Sequence, residues 1–389
     1  MGKFEINSIL LLGIFLLLGW GAHVIGRRFK LPRVTILLLI GMIAGPSLLD
    51  VFPHKITNWF PDIAHIALAM VGFLLGESFI GREIKVSGRT ILYISIGKTI
   101  VAAILVFTAV LLIQKDWLFA LLLSGIAPAS APAAILDVIH EIKSRGPLTK
   151  TILGVVAIDD AWGVLLFSFL LTAAETIYVK GHIVNEVLFA IWDIGGAILL
   201  GVIIGLPMAL LTGRIKKGEP SLLEAFGFVM LCGGLALMLN VSYLLSCMVL
   251  GVTVANRAKH HTRPFRDIEG ASELFLVIFF LLAGYEFELS SFWTLGFIGG
   301  IYIIARSVGF LIGGYFAARI ANSAAVIKKR IGWCLFPQAG VAMGLALLSL
   351  ERFPEVGKSV IQLIVGTTII FELVGPMVTR WHLHKAGEF

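Results

Sequence analysis

Apolar and polar positions along this chain do not alternate with the period of a strand. They do not form the one-sided stripe of a surface helix either. They fall into apolar runs separated by short polar connections, and each run approaches the roughly 20 residues needed to cross a bilayer as a helix. Thirteen runs are legible, centred near residues 15, 41, 70, 101, 126, 162, 199, 230, 248, 278, 305, 341 and 369. The pattern predicts an all-α polytopic membrane protein of about thirteen transmembrane helices. The first run, Ile6 to Ile25, is longer than a signal-peptide core and lacks a small-residue cleavage site, so it is predicted to be retained.

Composition sharpens this picture. Of 389 residues, 58% are hydrophobic and 14% charged, against about 25% charged in soluble domains. A disordered chain and an ordinary soluble enzyme are excluded. The net charge of +7 does not signal nucleic acid, because the basic residues cluster between apolar runs. Alternate connections hold 23 of the 31 Lys and Arg, the opposite side holds 6, and Lys98 and Arg306 fall inside runs. This bias predicts an inner (plasma) membrane protein with its N-terminus outside and its C-terminus cytoplasmic. Cys232, Cys247 and Cys334 lie in apolar runs and imply no disulfide framework.

Runs seven apart share features. GFLLGESFIGREI in the third matches FFLLAGYEFELSS in the tenth, and ISIGKTIVAAIL in the fourth matches IIARSVGFLIGG in the eleventh. The fifth and twelfth both carry proline among small residues (GIAPASAPAA, FPQAGVAMG), and AIDDAWG in the sixth matches IFELVGP in the thirteenth. An odd offset makes these inverted repeats, an arrangement that puts a substrate site near the midplane between two crossing broken helices. Pro128, Pro132 and Pro337 would break those helices by removing N–H donors. The carbonyls freed near Ala127, Ala129 and Ser130 suit a hard cation.

Charges within the runs are the candidate chemistry, since such groups are costly in a membrane and mark function. Asp159 and Asp160 are adjacent. They cannot easily both stay ionised in a low-dielectric site, so they call for a cation, a proton or a basic partner. Arg306 is equally deep. In the repeat alignment Lys98 corresponds to Arg306 and Glu372 to Asp160, which predicts a structural ion pair between Lys98 and Glu372. Asp193 reads as a polar contact within the bundle. Glu77, Glu273, Glu286 and Glu288 fall at run ends, within reach of water.

GVVAIDDAWGVLLFS, IIARSVG, GMIAGP, GVTVAN and FFLLAG resemble the monovalent cation/proton antiporter superfamily, in particular sodium/proton antiporters with a paired-aspartate motif. The resemblance spans the whole chain. It implies dimerisation helices at 1–80 and 221–288, a transport core at 88–175 and 289–389, a linker helix at 183–212, and a homodimer in lipid. It implies ion and proton binding at Asp160, with Asp159 and Ser130 beside it, and a charge partner for Asp159 at Arg306, where paired-aspartate members usually carry lysine. Arginine there closes any route in which the basic partner releases a proton of its own.

The expected function is exchange of a monovalent cation, Na+ foremost and Li+ second, for protons, with no cofactor and no enzymatic step. A K+/H+ antiporter or potassium-efflux relative is the nearest alternative. An intramembrane aspartyl protease also needs two buried aspartates, but on separate helices with a Gly-x-Gly-Asp motif that this chain lacks.

Overall fold

A computed structural model describes residues 8–29, 32–52, 54–77, 81–178, 183–212, 222–258, 262–287, 289–338 and 340–389. Lys3, Lys30, Lys180, Arg214, Lys216, Lys217, Lys259 and Glu288, and the domain limits at 80, 221 and 288, lie outside the described residues.

The described chain is helical. In order it forms α1 (Ser8–Phe29), α2 (Arg33–Ala44), α3 (Phe60–Gly76), α4 (Gly81–Gln114), α5 (Trp117–Ile126), α6 (Pro132–Ile142), α7 (Pro147–Tyr178) and α8 (Ile183–Thr212). There follow α9 (Leu222–Met238), α10 (Tyr243–Arg257), α11 (Thr262–Tyr285), α12 (Leu289–Ile320), α13 (Ala325–Arg330), α14 (Gly340–Arg352) and α15 (Pro354–Lys385). Among the described residues, seven helices are long and apolar enough to cross a membrane alone. The bent pair Ala325–Leu335 and Gly340–Arg352 makes an eighth crossing. Each of the five remaining apolar runs centres on a shorter helix, α2, α3, α5, α9 or α10, which brings the total to the thirteen crossings predicted.

The helices sort into two bundles by packing. In one, α10 packs on α3 and α9, and α11 packs on α2, α3 and α1. In the other, α12 lies along α4, α5 and α7 pack on α4, and α15 packs on α14, α12 and α6. α8 lies against α10 and α7. The α4–α12 contact is the most extensive of the second bundle. A Cβ on Gly309 would sit 2.5 Å from the Ala102 backbone, and one on Gly313 would sit 2.8 Å from Lys98 Cα. Glycine at these positions lets two helices that each carry a buried cation touch along their backbones. Gly88, at φ 80° and ψ 154°, breaks α4 before its apolar stretch begins. That conformation is open to glycine and strained for other residues.

Candidate functional site

Prolines place the site. The fifth crossing is interrupted between α5 and α6, with Pro128 in the gap and Pro132 opening α6. The twelfth is interrupted at residues 336–338, after a 3-10 turn over Ile331–Leu335. The two gaps meet: the Ala131 N–H donates to the Pro337 carbonyl at 2.8 Å. α15 closes on the same point, where a Cβ at Gly375 would lie 2.7 Å from Pro337.

Each break exposes carbonyls that lack helical donors, and in a dry interior they must be satisfied. Arg306 does this. Its Nε donates to Ala127 O at 2.8 Å, Nη1 to Phe336 O at 2.8 Å and Nη2 to Ala129 O at 2.7 Å. One planar guanidinium thus ties both broken helices together, a task suited to its fixed fork of five donors. Phe310 and Phe371 lie 4.3 Å from its Cζ.

The predicted pairing of Asp159 with Arg306 is therefore corrected. Asp159 forms an ion pair with Lys98, whose Nζ also donates to Pro128 O at 2.8 Å and Ser130 Oγ at 3.1 Å. The Pro128 carbonyl is available because Pro132, four residues on, has no N–H to offer it. Ser130 Oγ donates to Asp159 Oδ2 at 2.7 Å, and Ser95 Oγ lies 3.3 Å from Oδ1. A compact ammonium reaches a single carboxylate, while the guanidinium is occupied by carbonyls. Phe310 is close to both cations, its centroid 4.1 Å from Lys98 Nζ and 4.3 Å from Arg306 Cζ.

The Lys98–Glu372 pair is corrected with it. Lys98 is committed to Asp159, and Glu372 is buried with no hydrogen-bond partner for Oε1 among the described residues. The carbonyls of Ala127 and Ala129, expected as cation ligands, are held by Arg306. Asp160 is 3% exposed, its Oδ1 has no partner among the described residues, and the Ser130 backbone N–H faces it. Asp160, Asp159, Ser130, Lys98, Pro128, Pro132 and Pro337 thus come together at the crossing, with Arg306 as its clamp.

Some site residues escaped the sequence reading. Ser95 precedes Lys98 by one turn, and that spacing was a usable signal. Tyr302 precedes Arg306 by one turn and accepts from Gln338 Nε2 at 2.8 Å. Phe310 and Phe371 looked like any apolar residue. Asp193 accepts from Thr172 at 2.7 Å, a contact within the bundle, and Glu273 pairs with Arg33.

Two crossed broken helices around a buried carboxylate pair define a membrane transporter of the inverted-repeat type. The chain belongs to the family "Sodium/hydrogen exchanger, transmembrane", which it matches over residues 12–385. It is 22% identical over 281 residues to the ammonium/H(+) antiporter subunit AmhT of Alkalihalophilus pseudofirmus, covering 72% of this chain and 70% of that one. It is 25% identical over 285 residues to the Na(+)/H(+) antiporter NhaP of Pseudomonas aeruginosa, covering 69% and 67%. The solved sodium proton antiporter MjNhaP1 of Methanocaldococcus jannaschii shares its fold, with a TM-score of 0.73 at 18% identity over 97% of this chain and 96% of that one.

Proposed function

We propose that this protein exchanges a monovalent cation, Na+ or Li+, for protons, and that Asp160 binds both in turn. The observation that carries this is the free carboxylate oxygen of Asp160 at the helix crossing, beside an Asp159 already neutralised by Lys98. A bare carboxylate there is costly. A proton or a cation removes the cost, and the two exclude each other. Exchange follows if only the neutralised site crosses the membrane.

In this reading residues 88–175 and 289–389 form the transport core, 1–80 and 221–288 the dimerisation helices, and 183–212 the linker of a homodimer in the plasma membrane. The ends of α6 and α15 face the cytoplasm, as the basic connections suggest. The ligand set is Asp160 with Asp159 and Ser130. A second reading, exchange of K+ or ammonium, is favoured by the likeness to AmhT and by the site itself, which already cradles an ammonium group in Lys98.

Proton flux in proteoliposomes, with Na+, Li+, K+ and NH4+ added in turn, separates these readings. Asp160→Asn should abolish flux with every cation while the protein still folds. Unchanged flux and cation affinity in that variant would reject the site.

A further inference from the structure

The two bundles must slide or rock for any substrate to change sides, so the polar bonds between them matter. Among the described residues one ion pair joins them: His65 Nε2 of α3 lies 2.9 Å from Glu351 Oε1 of α14. It sits near the start of α3 and the end of α14, at the face opposite the cytoplasmic ends of α6 and α15. Glu351 is well placed to act on the site. α14 is the second half of the broken twelfth crossing, and it begins two residues after Gln338. The next residue, Arg352, ties the same helix end to Glu175 of α7 at 3.1 Å and lies 3.9 Å from Asp193 of α8.

The pair is partly buried at the edge of a cavity. His65 and Glu351 are 25% and 24% exposed, and His65 lines a cavity of about 290 Å³ with Asp62, Tyr243, Met230 and Leu237. The His65 ring stands edge-on to Tyr243 at 5.1 Å. The charged or titratable groups around the imidazole are Asp62 on its own helix, Glu351 and Arg352 on α14, Glu175 on α7 behind Arg352, and Tyr243 on α10. α9 brings apolar residues and glycines to the cavity wall.

We infer that His65 and Glu351 form a latch operated by external pH. Protonated His65 binds Glu351 and holds α14 to α3, so that the outer face stays shut. Loss of the proton leaves a neutral ring, removes the ionic bond and frees the second bundle. Imidazole is the side chain whose ordinary titration falls in this range. The latch rests on the exchange reading above and adds a regulator to it.

The test uses the full-length protein in proteoliposomes, with inner pH fixed and outer pH lowered from about 8 to about 6, the range in which an imidazole changes charge. Wild-type Na+ exchange should fall, by up to about tenfold per pH unit once His65 is mostly protonated. His65→Gln and Glu351→Gln should each fall less steeply than wild type, keeping only the fall due to proton competition at Asp160. His65→Lys, a cation at every pH tested, should be slow throughout, and Glu351→Gln in the same protein should restore it. A His65→Gln profile equal to wild type, or a His65→Lys variant as fast as alkaline wild type, overturns the latch.

A second readout does not involve transport. Spin labels at Asn58→Cys and Glu355→Cys, both exposed, should give a narrow distance distribution at acid pH and a broader one at alkaline pH, with no pH effect in His65→Gln. A distribution insensitive to pH in wild type also overturns it. Absence of exchange in wild type with a pH-sensitive distance would reject the exchange reading and leave the latch standing.

Discussion

At the scale of single residues, the site divides its two buried cations by the geometry of their donors. Arg306 serves three carbonyls and Lys98 serves one carboxylate, one carbonyl and one hydroxyl. Removing one partner of a buried pair typically costs about 3–5 kcal/mol, so Lys98→Gln alone and Asp159→Asn alone should each lower thermal stability markedly. The double variant should lose much less than their sum. Lys98→Gln combined with Glu372→Gln should instead be additive, to within about 0.5 kcal/mol, because Glu372 has no bond to Lys98. A strong coupling with Glu372 and none with Asp159, read from denaturation midpoints, would restore the pairing expected from the sequence repeat. That expectation failed for a physical reason. The repeat predicts which positions are equivalent, but not which acceptor each cation chooses once broken helices expose carbonyls between them.

At the scale of helices, much was legible. Apolar runs of bilayer length marked each crossing, and Pro128, Pro132 and Pro337, each among small residues, marked both breaks, whereas Pro207 and Pro376 sit inside the unbroken helices α8 and α15. What stayed hidden depends on contacts between distant segments. Glu388 is the clearest case. Nothing in the local sequence marks it, yet it is buried and caps α7, the helix that carries Asp159 and Asp160. Its carboxylate accepts from Leu148 N and Thr149 N, each at 2.8 Å. Its carbonyl accepts from Arg145 N at 3.0 Å. Pro147 opens the helix without an N–H of its own, so Glu388 takes the first two exposed donors, and its charge lies at the positive end of the helix dipole. Glu388→Ala should cost about 1–2 kcal/mol and speed amide exchange in the first turn of α7. Glu388→Gln, which keeps acceptor capacity but not charge, should lose less. Unchanged exchange at Leu148 and Thr149 in Glu388→Ala would show that the cap contributes nothing.

For the whole molecule, the consequence of pairing Asp159 with lysine is electrical. An arginine partner would have stayed charged throughout, leaving Asp159 as the only further proton carrier. A buried lysine gives up its proton readily. Lys98 holds oxygens of Asp159, Ser130 and Pro128, the same kind of ligand a hard cation needs. In the proposed exchange, a cation drawn to Asp160 and Asp159 would compete with the ammonium for these oxygens, and Lys98 would then depart as a neutral amine. Two protons, one from Asp160 and one from Lys98, would leave as one cation binds, and net charge would move in each cycle. A sodium jump on a supported membrane at symmetrical pH should therefore give a transient current in wild type and none in Asp160→Asn. Lys98→Arg is the decisive variant. It keeps a cation beside Asp159 but cannot release a proton, so any exchange it retains should carry no current and ignore an imposed voltage. A Lys98→Arg protein whose current per cation equals that of wild type would show that Lys98 carries no proton, and would leave the second charge to Asp159.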